Sequence, residues 1–379
     1  MPADSLAGIM RKEAVLVVGG GLVTDVAGFA CAAYRRNTNY IRVPTTVIGL
    51  IDASVSIKVA VNYGNYKNRL GAYHAPKHTF LDFSFLRNLP EAQIRNGFAE
   101  LIKISSCAHL PTFDLLDKYC EDLIGMAFGR SDDAKPEVRE AADKINRAGI
   151  HEMLKLETPN LHEIMLDRVI AYGHTWSPLH ELVPEVPLRH GHAISIDMAY
   201  SATLANVRGL LSDEEHHRLL NLFSRAGLSM DHPQFDAEIL EKGTQAILKT
   251  RDGQLRAAVP NPLGSCVFLN DITNEELVEA LNKHKEVMKK YPRNGAGIGA
   301  LVDSSDTGYT LAANKSAETN GHTNGYTNGH TNGVNSHTNG VNGHTNGEVP
   351  EAVTKGKFNH EIGNGRLANG NTNGVANGH

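Results

Sequence analysis

The chain has 379 residues, 41% hydrophobic and 21% charged, enough for one or two domains with a sizeable core. Its 37 basic and 42 acidic side chains leave a formal charge of −5, which argues against nucleic acid as the main partner, because phosphate-backbone binding needs a concentrated basic face. Scattered cysteines (Cys31, Cys107, Cys120, Cys266) suggest neither a disulfide framework nor a zinc ribbon, and no apolar stretch or signal layout points to a membrane, so a reducing, cytoplasmic setting is the default.

Residues 14–18 form a short apolar, β-rich run that leads into Gly19-Gly20-Gly21 and then an apolar, small-residue stretch over 23–34. That order reads as strand, glycine turn, helix. Residues 40–44 predict a second strand, ended by Pro44. Over 92–107, Ile94, Phe98, Leu101, Ile102 and Ser105 recur at helical spacing. Ser212 with Glu215, and Thr273 with Glu276, fit the capping-box pattern. The first opens a helix to about Gly227, the second a helix over 277–291 that Pro292 stops. The expectation is an α/β front and a mostly helical back half, divided between residues 80 and 90. From about Asp303 the chain collapses into Asn, Gly, Thr and His, with Phe358, Ile362 and Leu367 isolated. Such a segment buries too little surface to offset its ordering entropy, so a disordered tail is expected there, its histidines at most loose metal binders.

Glycines between strand and helix let backbone N–H groups approach a phosphate, although a turn made for tight packing would look the same. Farther on, Asp52 and Lys58 sit within an apolar run, where an unpaired charge is costly. Arg35, Arg36, Lys58, Lys67 and Arg69 crowd one short segment, which suits an anionic substrate or a solvated surface. Glu100, His174 and either His190 or His192 offer one carboxylate and two imidazoles, the donors of a catalytic zinc with open positions. Spacing alone does not separate that set from ordinary structural histidines.

Taken together, these motifs resemble the sugar phosphate cyclase superfamily, whose best-known member is dehydroquinate synthase. The likeness runs from Gly19 to about Asp271. It is carried by the glycine turn with Asp25, by Arg42-Val43-Pro44-Thr45-Thr46, by Asp52-Ala53-Ser54 with Lys58, and by Lys67-Asn68-Arg69-Leu70-Gly71. Gly97-Phe98-Ala99-Glu100-Leu101-Ile102-Lys103, Gly173-His174-Thr175 and His190-Gly191 complete it. The resemblance implies an α/β + α fold: a Rossmann-like NAD-binding domain over 1–86, a mostly helical metal- and substrate-binding domain over 87–302, and the tail over 303–379. It implies zinc, or cobalt, on Glu100, His174 and His190. His190 is preferred because His192 stands where dehydroquinate synthases have Glu. Gly20, Gly21, Asp25, Thr45, Thr46 and Asp52 would lie along NAD. Arg36, Lys67 and Arg69 would face a phosphorylated sugar, with Lys58, Asn68 and Lys103 at the reacting centre. A homodimer is also implied.

Dehydroquinate synthases carry a second histidine, an arginine and an asparagine where this chain has Pro178, Asp167 and Ala171. Proline neither transfers a proton nor binds an anion, which disfavours ordinary dehydroquinate chemistry. Residues 173–178 are similar to the sedoheptulose 7-phosphate cyclases, and residues 255–271 to the desmethyl-4-deoxygadusol synthases of mycosporine pathways, with the 2-epi-5-epi-valiolone synthases close by. The implied chemistry is oxidation by tightly held NAD+, phosphate elimination, hydride return, ring opening and aldol closure. A further loss of water distinguishes the deoxygadusol branch. Family members carry strands and helices ahead of the glycine turn. With that turn at Gly19, the expectation is a truncated front that binds NAD poorly and exposes a sheet edge. The rival from another class is a non-catalytic, cyclase-like binding module. Trp176 is expected to pack, Cys266 to fill core, His216 and His217 to lie on a solvated helix face, and Lys249, Arg251 and Arg256 to be loop charges.

Overall fold

The computed structural model describes residues 8–63, 66–303 and 306. β1 (Ala14–Gly19) leads through the glycine turn into α1 (Gly21–Ala33), which crosses back to β2 (Asn39–Pro44). The two strands are parallel, with Ala14 opposite Asn39 and Gly19 opposite Pro44, so the crossover helix is the connection that parallel pairing requires. β3 (Lys58–Tyr63) and β4 (Tyr66–Tyr73) form an antiparallel hairpin, Lys58 opposite Tyr73. β5 (His78–Thr79) then adds to the other side of β2, giving the order β1-β2-β5. β1 is thus an edge, and Leu16 and Val18 on it, with Leu22, Val23 and Val26 on α1, are exposed.

The rest is built on helices: α2 (Glu91–Ala108), α3 (Leu110–Gly125), α4 (Pro136–Glu157), α5 (Ser177–His180), α6 (His190–Val207), α7 (Asp213–Arg225), α8 (Ala237–Thr250) and α9 (Asn274–Met288). A hairpin of β6 (Ala257–Pro260) and β7 (Cys266–Leu269) interrupts them. α6 is buried on every side from Gly191 to Ala205, as befits an axial helix. One hydrophobic cluster joins Phe98 and Leu101 of α2, Ile145 of α4, Ile194 and Met198 of α6 and Leu277 of α9. Val47, Leu50 and Ile51 from the front belong to it as well. No described helix is long and apolar enough to cross a membrane.

Ser212 and Glu215 close the expected capping box, and α7 ends at Arg225, with Gly227 at φ +68° just beyond. α9 stops at Met288 rather than Tyr291, because Lys290 and Tyr291 bond back only three residues, to Val287 and Met288. One reading is corrected. His216 is buried, its ring bonded to Thr203 Oγ1 at 3.0 Å, and only His217 is solvated. Cys266, half-buried, packs against the core as expected, beside Cys107, whose thiol is pushed well up by burial first and Cys266 second. The tail and its histidines lie outside the described residues, apart from Asp303 and Asp306, both of which pair with buried Arg189.

Candidate active site

Glu100 sits mid-way along α2, His174 in the turn before α5, and His190 at the first position of α6. Among the described residues they form the one group of His, Cys, Asp and Glu whose ligand atoms all lie within 4.8 Å of one another. Two close helix contacts bring them together. A Cβ on Gly191 would stand 2.2 Å from the Asn96 carbonyl oxygen, and one on Gly97 would stand 2.3 Å from Val47 Cβ. Only glycine lets α6 and the 46–51 segment approach α2 so closely. The His174 turn is fixed by Gly173 at φ +76° and by Asp197 on α6. The buried Asp197 carboxylate accepts the Trp176 and Ser177 N–H groups at 2.6 and 2.8 Å. Trp176 itself packs fully buried, its Nε1–H donating to Thr244 Oγ1 at 3.1 Å.

Each of these candidate ligands is oriented by a second partner. The His174 Nδ1–H donates to the Tyr172 carbonyl at 3.2 Å, which leaves Nε2 as a lone pair. His190 Nδ1 bonds Glu181 at 2.9 Å while Nε2 faces Glu100 at 3.0 Å. Burial pushes Glu100 up, but Lys103 and then His190 overcome it and hold the carboxyl well below its usual range. Lys103, one turn along α2, pairs with Glu100 at 2.5 Å and Asp52 at 2.8 Å. Burial would lower its pKa, yet those two carboxylates raise it, so the ammonium stays charged. Burial, followed by Lys103, drives His174 well down and keeps it neutral, as a ligand must be. One ionised carboxylate and two imidazoles, each with one nitrogen held by a second partner, fit a zinc or cobalt ion. His192 points elsewhere: its Nδ1 meets Ser229 Oγ at 2.9 Å and its Nε2 is buried without a partner.

The glycine turn lies beside this cluster. Gly20 precedes α1 with no side chain capping the helix, and a Cβ there would come 2.9 Å from Thr46 Cγ2. Thr45 N–H bonds Gly19 at 3.0 Å, and Thr46 Oγ1 accepts Gly49 N–H at 3.1 Å. That second bond opens the π-helical turn Gly49–Ala53, which delivers Asp52 to Lys103. Buried Arg42 staples the turn through the Ala53 and Ser56 carbonyls at 2.7 and 2.8 Å. Asp25 is pushed up to about 6 by burial, against the pull of Arg42 and Lys67. An uncapped helix start walled by small residues fits a dinucleotide phosphate.

Of the expected substrate residues, Lys67 reaches the cluster, pairing with Glu181 at 2.6 Å. Lys58 lies close by, held by Glu157 and Glu163 at 3.0 Å each. Burial lowers its pKa, but Glu157 and Glu163 outweigh that. Arg36, beyond the far end of α1, and Asn68 and Arg69 on the hairpin are all exposed, outside the group of ligands. Glu157, Glu163 and Glu181 escaped the sequence reading; the one signal for Glu181 is an acid within the apolar run after Pro178. Burial would raise its pKa, but His190 and then Lys67 outweigh that and bring the carboxyl down to about 2. Arg256 is engaged by Asp252 and Asp167, while Arg251 is half-buried, its pKa lowered by burial and by Arg168.

Residues 4–96 match the family described as 3-dehydroquinate synthase N-terminal, and residues 97–249 the 3-dehydroquinate synthase C-terminal family. A demethyl-4-deoxygadusol synthase from Trichormus variabilis is 60% identical over 290 residues, 76% of this chain and 70% of that protein. A 2-epi-5-epi-valiolone synthase from an Actinoplanes species is 40% identical over 284 residues, 74% of this chain and 70% of its own. Among solved structures, the 2-epi-5-epi-valiolone synthase ValA from Streptomyces hygroscopicus subsp. jinggangensis 5008, with NAD+ and Zn2+ bound, superposes with a TM-score of 0.70. It shares 37% identity, over 75% of this chain and 76% of ValA. The chain belongs to the 3-dehydroquinate synthase family of sugar phosphate cyclases.

Proposed function

We propose that the chain is a carbon–oxygen lyase that converts sedoheptulose 7-phosphate to demethyl-4-deoxygadusol with bound NAD+ and zinc. The convergence of Glu100, His174 and His190 with Lys67 and Lys103 beside the glycine turn carries this reading. The likeness to a demethyl-4-deoxygadusol synthase supports the choice of product. In this reading residues 1–86 hold the cofactor and 87–302 the metal and substrate.

Glu100, His174 and His190 hold the zinc, and Gly20, Gly21, Asp25, Thr45 and Thr46 flank NAD+. When bound, NAD+ supplies a transient oxidation that acidifies the neighbouring C–H, and zinc stabilises negative charge on the reacting oxygens. Lys103, pinned between Asp52 and Glu100, keeps a charged donor at those oxygens. Lys67, with Lys58 and Arg251 nearer the 157–168 loop, neutralises the phosphate, which can act as its own base as it leaves. Asp167, committed to Arg256, offers no cation to a substrate carboxylate, in keeping with a sugar phosphate rather than the dehydroquinate precursor. A homodimer is part of the proposal, to be read from sedimentation velocity.

Incubation of the NAD+- and zinc-loaded protein with sedoheptulose 7-phosphate is expected to release one equivalent of phosphate and give the mass of demethyl-4-deoxygadusol. The mass of a valiolone would move the assignment to the 2-epi-5-epi-valiolone synthases. Turnover of the dehydroquinate precursor alone would reject it. Binding of the sugar phosphate without phosphate release would favour the non-catalytic module.

A further inference from the structure

Glu181 closes α5 and is nine-tenths buried, yet neither the glycine turn nor the ligand triad includes it. Its backbone is fixed on both sides: its N–H donates to Ser177 at 2.8 Å, and its carbonyl accepts from Leu188 at 3.1 Å. One oxygen, Oε2, receives both the His190 Nδ1–H at 2.9 Å and the Lys67 ammonium at 2.6 Å. The two donors consequently lie only 3.2 Å apart. Lys67 comes from β4 and His190 from α6, so this oxygen joins the hairpin to the axial helix.

The arrangement has a consequence for the orientation of the ring. With Nδ1 held by Glu181, Nε2 is the ring nitrogen turned towards Glu100, 3.0 Å away. Without that acceptor, nothing holds Nδ1, and the ring can rotate its Nε2 out of the Glu100–His174 group. Lys67 would at the same time lose its tether. We infer that Glu181 is a positioning residue that sets the orientation of the ligand His190 and of the substrate cation Lys67 through one shared carboxylate oxygen. The inference rests on the metal and substrate reading above.

The test uses the full NAD+-loaded chain, zinc affinity by competition with a chromophoric chelator, and KM for sedoheptulose 7-phosphate. Glu181→Ala is expected to weaken zinc binding by about ten- to a hundredfold, the usual cost of losing such a partner, and to raise KM. Glu181→Gln keeps an oxygen for His190 but not the charge for Lys67. It is expected to restore zinc affinity to within about threefold of the parent while KM stays high. Zinc affinity in Glu181→Ala within twofold of the parent would overturn the inference alone. So would equal losses in both variants accompanied by a lowered thermal midpoint, which would mark a merely structural carboxylate. A parent chain that binds no zinc would overturn the inference together with the site reading on which it stands.

Discussion

His174→Ala is expected to strip the metal and lower turnover at least about a thousandfold while the chain stays folded. The turn that carries His174 is held by bonds its imidazole does not make. Asp197 caps the Trp176 and Ser177 N–H groups, and Ser177 Oγ donates to the Gly173 carbonyl at 2.6 Å. Removing the ring therefore leaves the backbone in place and takes away one of the three candidate donors among the described residues. Metal analysis after dialysis, beside phosphate release, reads both effects. Full zinc content with retained turnover would sink the assignment. His192→Ala supplies the contrast, since that ring packs against Ser229 and not on the triad. It should keep its zinc and lose about 2 kcal/mol of stability in urea, from a cavity and an orphaned Ser229 N–H.

Gly191→Ala is expected to cost more than about 3 kcal/mol, although alanine is the better helix former by about 1 kcal/mol. The new methyl would stand 2.2 Å from the Asn96 carbonyl oxygen, 2.7 Å from its Oδ1 and 2.8 Å from its carbonyl carbon. Two of those atoms are backbone of α2 and cannot rotate away. α6 cannot step back either, because it is buried on all sides. The helix must therefore lift at its first turn, where His190 begins it, and zinc affinity should fall along with the urea midpoint. An unchanged midpoint would mean that α2 and α6 are farther apart than described.

The parts legible in the chain were those whose cause is local. β1, the glycine turn and α1 follow from an apolar run meeting three glycines, and the α7 cap from a serine three residues before a glutamate. Glu100, His174 and His190 were readable as candidates because their residue types suit a metal. What could not be read is which acid meets which base. Glu181 meets Lys67 across 114 positions, and Glu157 and Glu163 meet Lys58 across 99 and 105. No periodicity encodes such pairings; packing alone decides them. The same limit hid the burial of His216, whose helix face is polar in sequence but whose neighbour Thr203 comes from α6. The β3–β4 hairpin was missed because its strands carry Lys58, Lys67, Asn68 and Arg69, and the β6–β7 hairpin because its strands have only four residues each.

The sharing of one interior by Val47, Leu50 and Ile51 with α2, α4 and α6 bears on how such chains can be recombined. A seam drawn between Leu86 and Arg87 looks natural along the sequence, but it cuts through a common set of touching side chains. A front piece borrowed from a relative would bring its own counterparts of these residues against an α2 whose Gly97 is fitted to Val47. Exchange of the two halves thus needs matched pairs on both sides of the seam. Inheritance of the two halves as a single block is the simpler route.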